Sequence, residues 1–205
     1  MGLYENRILP HLVNLAMRNR HLQPYRERVT GAARGRVLEI GIGSGLNLAL
    51  YPPKVCEIVG LDPLPRLLAM ARQAANRSSV RVSFIEASAE AIPLDDNCVD
   101  SVVTTWTLCT IPDVTSALSE MRRVLRPSGE LLFVEHGLTV EHRVRRWQDR
   151  LTPVWKRIAG GCHLNRPIRE LIEKAGFVVT EIETGYIKGP KPMTFLYCGR
   201  AKPPE

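Results

Sequence analysis

Short apolar, β-branched runs alternate along this chain with stretches whose apolar positions recur every three or four residues, the pattern of strands joined by crossover helices in a parallel sheet. RVLEI (36–40), EIVGL (57–61), VRVSFIEA (80–87), DSVVTTW (100–106) and ELLFVEHG (130–137) read as five successive strands. Between the first two lies GIGSGLNLALYPP, a glycine turn entering a short helix that Pro52 and Pro53 stop. PLPRLLAMARQAANR (63–77) sets Leu64, Leu67, Leu68 and Ala71 on one helical stripe. Asp113 can cap a helix with Ala117, Leu118, Met121, Val124 and Leu125 inward, and PSG (127–129) turns the chain into the fifth strand.

The flanks follow a different rhythm. A first helix is expected over residues 3–21, with Ile8, Leu12 and Leu15 on one stripe, Leu9, Val13 and Ala16 beside it, and Arg7, Arg18 and Arg20 elsewhere. It suits a lid, a helix lying on a membrane surface or a packed flank. Residues 141–159 read as a helix broken at Pro153, and 166–175 as a shorter one ended by Gly176. FVVTEIET (177–184) and MTFLYCGRA (193–201), joined by GYIKGPKP, suit an antiparallel hairpin better than another crossover.

Composition narrows the class. With 205 residues, 44% apolar and 24% charged, the chain has the make-up of one globular domain, without the apolar run that a spanning helix needs. The N-terminus lacks a secretory pattern, and the five scattered cysteines include no CxxC pair, so a reducing cytoplasm is expected, with the inner membrane surface as a peripheral site. The net charge of +7 is concentrated outside the centre: residues 1–36 hold seven Lys/Arg against two acids, and residues 141–157 six against two. This suits solvated helix faces or an anionic membrane; no nucleic-acid module accompanies it.

The glycine turn selects a ligand class. A dinucleotide fingerprint needs glycines at the first, third and sixth places, but the run is E-x-G-x-G-x-G over 39–45, with Leu46 at the sixth place. Glu39, at a strand end, suits a cation better than a pyrophosphate, and S-adenosylmethionine (SAM) carries a sulfonium and an amino group without phosphate. Asp62, after the second strand, is placed to accept from two ribose hydroxyls, or to cap the following helix.

VLEIGIGSG, GLDP, ASAEAIPL, SVVTTWTLCTI and RVLRPSGELLFVEHG together resemble the successive motifs of class I SAM-dependent methyltransferases over residues 36–137. The resemblance implies an α/β fold, Rossmann-like, with a seven-stranded, mostly parallel sheet, a C-terminal antiparallel strand and helices on both faces. It implies that Glu39, Gly41, Gly43 and Gly45 meet the methionine part of SAM, Asp62 and Pro63 the ribose, and Ser88, Ala89 and Glu90 the adenine. Many relatives have Asp where Ser88 stands, which leaves a weaker neutral hydrogen bond. Thr105 and Trp106 would border the methionine part or pack the strand end. S-adenosylhomocysteine would be the product.

Methyl transfer requires alignment, exclusion of water and a lone pair on the acceptor. Glu135 and His136, ending the fifth strand, are the candidates for orienting an acceptor or taking its proton; a structural His136 is the competing reading. Cys109 reads as packing or as a pocket residue. His163 beside Cys162 is not expected to bind metal, because adjacent residues rarely chelate one ion and no partner set has ligand spacing.

WQ, PVWK and GCHLNR (147–166), following EH, are similar in residue type and order to a region of the animal membrane-associated thiol methyltransferases. Those carry an N-terminal hydrophobic anchor for which residues 1–35 offer no counterpart. Trp147 and Trp155 of this region are expected as pocket walls or lid packing, Cys109 and His163 are further candidates for bordering the acceptor, and the resemblance favours a thiol or sulfide. N-methylation of phosphatidylethanolamine, methylation of a quinone-like ring, and a protein that only binds SAM or nucleic acid remain alternatives. The expected layout is one methyltransferase domain: a helical flank or lid (1–35), a SAM-binding core (36–137), a substrate-side insertion (138–176) and a hairpin (177–205).

Overall fold

The computed structural model describes residues 9–204. Seven strands form one sheet: β1 (Gly35–Ile40), β2 (Val55–Leu61), β3 (Arg81–Ile85), β4 (Val99–Thr105), β5 (Leu125–His136), β6 (Val178–Tyr186) and β7 (Phe195–Lys202). Their order is β3-β2-β1-β4-β5-β7-β6, and β7 runs antiparallel to both neighbours. The other pairings are parallel, as the crossover pattern predicts.

Helices cover both faces. On one face, α4 (Val114–Val124) and α6 (Ile168–Lys174) bury Leu118, Met121, Ile168 and Ile172 against Leu38, Val59, Val102 and Phe133. On the other, α2 (Gln23–Ala32) and α3 (Pro65–Ala75) bury Val29, Leu68 and Ala71 against Val37, Ile58, Val103 and Leu132. Adjacent strand residues thus feed opposite cores, so the central strands read as unbroken apolar runs. Each fully buried Leu, Ile, Val or Phe contributes roughly 1.5–3 kcal/mol of apolar transfer energy.

Asp113 caps α4, accepting from the amides of Thr115 and Ser116 at 3.1 Å, and Gly176 (φ +86°) lies beyond α6 in the left-handed region. The turn at 127–129 is a bulge within β5, where the register against β4 jumps from Val99↔Leu125 to Ser101↔Glu130.

Three expectations are corrected. The helix after the glycine turn is one 3-10 turn, Leu48–Leu50, because the flanking Asn47 and Tyr51 both turn inward to Glu39. Helix α5 (His142–Ile158) runs through Pro153 without a break. Buried Val144, Gln148 and Thr152 hold it to the fold, and the Thr152 hydroxyl donates to the Gln148 carbonyl at 2.6 Å beside the position where the proline withholds an N–H. The first helix, α1 (Leu9–Met17), ends at Met17 instead of reaching residue 21, and a separate 3-10 turn, Arg20–Leu22, follows; the Leu12/Leu15 stripe of α1 faces outward, with Leu15 71% exposed, while Val13, Asn14 and Met17 face a cavity. Residues 1–8, including Arg7 and Ile8, lie outside the described residues.

Candidate active site

A cavity of about 570 Å³ opens at the C-terminal edge of β1, β2 and β4, where open α/β sheets place ligands. Its floor is the turn after β1. Gly41 (φ +66°) adopts a backbone favoured by glycine, and a Cβ there would fall 2.4 Å from Thr107 Oγ1. Gly43 borders the cavity, and a Cβ on it would meet only the Gly41 carbonyl, at 3.9 Å, so the cradle is open to a ligand at this point. Gly45 is not in the lining: a Cβ there would press on Leu48 and on the α3 backbone at Ala71, 3.1 Å away.

Asp62 closes one side. Its Oδ2 accepts from the Gly43 amide at 3.0 Å and its Oδ1 from the Leu64 amide at 2.9 Å. Burial pushes its pKa up, and these two bonds oppose the shift. The carboxylate therefore braces the glycine turn and the approach to α3 while lining the cavity with Pro63. Asp62 does not itself cap α3, whose N-cap is Leu64 without a side-chain cap bond; it fixes the residue that does.

Glu39 sits one layer behind the wall. It is fully buried, accepting from Asn47 Nδ2 at 2.8 Å and from the Tyr51 hydroxyl at 2.9 Å, and desolvation raises its pKa to about 7. Asn47 relays it to Thr105 Oγ1 at 3.1 Å and accepts from Arg26 Nη1 at 2.7 Å. The Arg26 guanidinium stacks over Trp106, 4.8 Å from the ring centre, and faces the cavity beside Thr105 and Trp106.

Ser88 and Ala89 line the far end. Glu90 is turned away, held by the Asp113 amide at 2.7 Å and by the Ser88 hydroxyl at 3.0 Å.

The opposite wall comes from the loop after β4 (Thr107, Thr110, Ile111, Pro112), with Ala159, Gly160 and Gly161 from the end of α5 and α1 above. The Ser44 hydroxyl donates to Asn14 Oδ1 at 2.7 Å, fastening α1 to the glycine turn. Arg26 and Asp62 are the titratable side chains among the described lining residues.

The sequence-derived acceptor residues stand outside this lining. Glu135 is fully buried, its carboxylate accepting from the amides of Thr107 (3.1 Å) and Leu108 (3.0 Å), and desolvation raises its pKa to about 7. It holds the loop after β4 from beneath. His136 is 5% exposed and its Nε2 lacks a partner of good hydrogen-bond geometry, although Cys162 lies beside it. His163 Nδ1 lies 3.2 Å from the Cys109 carbonyl, which also accepts from the His163 amide. Trp147 is on the outer face of α5, 56% exposed, and the Trp155 indole reaches Cys162. Cys109 is buried within the loop after β4.

Several groupings left little mark in the sequence. Arg26 sits on a short helix whose other residues give no reason to single it out. Arg166 donates to the carbonyls of Leu108 and Pro112, clasping the loop after β4, and Gln148 pegs Thr139 and Gly137 beneath α5. Cys162 pairs with Cys109, the two Sγ atoms 3.6 Å apart, rather than with His163. Among the described residues no group of three or more His, Cys, Asp or Glu could hold a metal ion.

This fold and this edge cavity define a Rossmann-like methyltransferase. Residues 38–133 match the family model described as a methyltransferase domain. Thiol S-methyltransferase TMT1B of Rattus norvegicus is 38% identical over 167 residues, covering 80% of this chain and 66% of that protein. The Homo sapiens TMT1B is 36% identical over 177 residues, covering 83% and 70%. The chain thus spans about two thirds of the length of these relatives. The solved N-methyltransferase NodS of Bradyrhizobium japonicum WM9 superposes with a TM-score of 0.66 at 19% identity, covering 94% of this chain and 98% of that one, a likeness of fold alone. The chain belongs to the SAM-dependent methyltransferase family, with TMT1-type thiol methyltransferases among its relatives.

Proposed function

We propose that this chain transfers the methyl group of SAM to a small, hydrophobic thiol. The observation that carries the reading is the contrast between the two sides of one cavity. One side offers open glycine backbone, the Asp62 carboxylate and the Arg26 guanidinium; the other offers apolar groups and the hydroxyls of Thr107 and Thr110. When bound, SAM supplies an electrophilic methyl on a sulfonium. Gly43 gives room for close backbone approach, Asp62 has acceptor lone pairs left for ribose hydroxyls, and Arg26 complements the carboxylate of the amino-acid portion. Glu39 acts through Asn47, orienting that side chain and balancing the charge of Arg26.

The acceptor wall is suited to exclude water and hold a nucleophile in line. The Thr107 hydroxyl donates to the Ile40 carbonyl at 3.2 Å and the Thr110 hydroxyl to the Thr107 carbonyl at 2.8 Å, so both are committed to shaping the wall. An acceptor that ionises in water near pH 8.5, as a thiol does, needs no protein base to present a thiolate; a quinol or protonated amine gains more from one. The test is the pH dependence of kcat/KM for a series of thiols of different acidity. The inflection should move with the pKa of each acceptor; one fixed inflection for all of them would assign deprotonation to the protein.

We also infer peripheral contact with an anionic bilayer. Trp147, Val154 and Ile158 form an exposed stripe on α5, 56%, 59% and 53% exposed, with exposed Arg143, Arg150 and Arg157 beside it. Apolar side chains flanked by arginines complement headgroup phosphate over acyl chain. The stripe ends at Ala159–Gly161 on the cavity rim, and outward-facing Leu12 and Leu15 of α1 stand on the same rim's other element. A hydrophobic acceptor would then enter from the membrane side, with α1 as the lid.

A further inference from the structure

Behind the acceptor wall, two cysteines 53 positions apart in sequence meet at 3.6 Å. Cys109 is buried on the loop after β4, whose next three residues line the cavity; Cys162 is partly exposed and follows Gly160 and Gly161, which also line it. We propose that these form a reactive pair: Cys162 attacks a low-molecular-weight disulfide and Cys109 resolves the adduct, closing a cross-link between the two segments that make the acceptor wall. The remaining cysteines, exposed Cys56, partly buried Cys98 and buried Cys198, have no such partner among the described residues.

The surroundings of Cys162 point to a thiolate. His136, almost fully buried and with an Nε2 that has no properly aligned partner, lies beside it, and the Trp155 indole reaches it from α5. The Arg166 guanidinium acts on both sulfurs, opposed by Glu135. The hydrogen bond shared between the two sulfurs foremost, then the contacts with His136, hold the Cys162 thiol below the usual range against the cost of burial. The same pairing, together with burial, pushes Cys109 up, so it keeps its proton until resolution.

The step balances. The Cys162 thiolate attacks one sulfur of RSSR, forming a Cys162 mixed disulfide and releasing RS⁻. Cys109 then loses its proton, its sulfur attacks Cys162 Sγ, and a second RS⁻ leaves and takes up that proton. Two protein thiols are oxidised and one disulfide is reduced to two thiols. A disulfide bond is about 2.05 Å long, so the sulfurs must close about 1.5 Å. The positive-φ pair Gly160 (+60°) and Gly161 (+88°) immediately before Cys162 provides a hinge for that movement. If the proposed thiol methylation is right, RSSR is the oxidised form of the acceptor class, and the cross-link would make the wall respond to the redox state of its own substrate pool.

The test uses the full chain with bis(2-hydroxyethyl) disulfide at neutral pH, quenched by alkylation and read by peptide mass mapping. The Cys109–Cys162 linked peptide should accumulate at least ~10-fold faster than the adduct on Cys56, despite the exposure of Cys56. Cys109→Ser should trap a stable mixed disulfide on Cys162, and Cys162→Ser should leave Cys109 reduced. Modification of Cys56 ahead of the pair, or Cys109→Ser protein with no adduct on Cys162, would overturn the proposal. Should Cys162→Ser fail to fold, the wild-type rates and the Cys109→Ser trap still decide. Mapping reads the cross-link whatever the cavity methylates, so cross-linking without thiol methylation would fail the function and keep the pair.

Discussion

Asp62 is the residue on which ligand and fold most directly meet. It braces the Gly43 and Leu64 amides and faces the cavity; in the proposed site, loss of its carboxylate also removes two charge-assisted hydrogen bonds to the SAM ribose. At about 1.5 kcal/mol each, Asp62→Ala should weaken SAM binding by about 100-fold in calorimetry. Asp62→Asn preserves the volume and reports whether the loss comes from the charge or from a slackened turn; unchanged affinity in both would remove Asp62 from the site. Glu39 makes a different prediction. Its folded pKa of about 7 lies above its ordinary 4.5, so the folded state holds the proton more tightly than the unfolded one. That raised value makes the contribution of Glu39 to stability greatest below about pH 4.5 and erodes that contribution as pH climbs to 7, by up to ~3 kcal/mol. Glu39→Gln, which keeps the shape and most of the contacts, should reduce the fall in melting temperature across pH 5–8 and leave the part that Glu135, raised to about the same value, contributes; an unchanged slope would mean that Glu39 titrates normally. Arg26 was invisible to sequence reasoning because its importance comes from Asn47 and Trp106, 21 and 80 positions away.

At the scale of elements, local chemistry predicted what local chemistry controls. The five parallel strands were legible because burial on both faces leaves unbroken apolar runs, and α4 because Asp113 and its inward stripe agree. The hairpin was legible because its connection is too short and too rich in Gly and Pro to cross over. Periodicity failed where tertiary contacts chose the outcome. In α1 the pattern leaves the direction of the Leu12/Leu15 stripe open; it faces outward because Asn14 and the Arg26 bond to the Met17 carbonyl (3.3 Å) fasten the side that carries Val13, Asn14 and Met17 over the cavity. In α5, burial of Gln148 and its neighbours outweighs one proline. The pairing of Cys109 with Cys162 depends on how α5 returns to the loop after β4, which no short-range pattern encodes. Glycine substitutions separate strain from propensity. Gly41→Ala forces a side chain into Thr107 from a left-handed backbone and should cost at least ~2 kcal/mol. Gly31→Ala, in α2 with nothing within 4 Å, should instead stabilise by about 0.5–1 kcal/mol. Chemical denaturation measures both, and equal effects would contradict the conformational account of the turn.

For the whole molecule, the sheet places the donor side by rules shared across the fold, whereas the segments outside the strands shape the acceptor side and the proposed membrane face. Among the described residues no helix is long and apolar enough to cross a membrane; the bilayer contact we infer is made by the exposed face of α5. Flotation with anionic vesicles should be strong at low salt, fall as salt rises and be weakened by replacing Trp147, Val154 and Ile158 with Ser; equal binding to neutral vesicles, or none, would refute it. The central claim remains the transfer itself. It is tested most directly by giving the purified chain methyl-labelled SAM with a small aryl or alkyl thiol, a demethylated quinone and phosphatidylethanolamine vesicles, and identifying the labelled product. The account predicts the S-methyl thioether, formed faster than either alternative and lost with Asp62→Ala; no S-methyl product under conditions where the quinone or the lipid is methylated would contradict it.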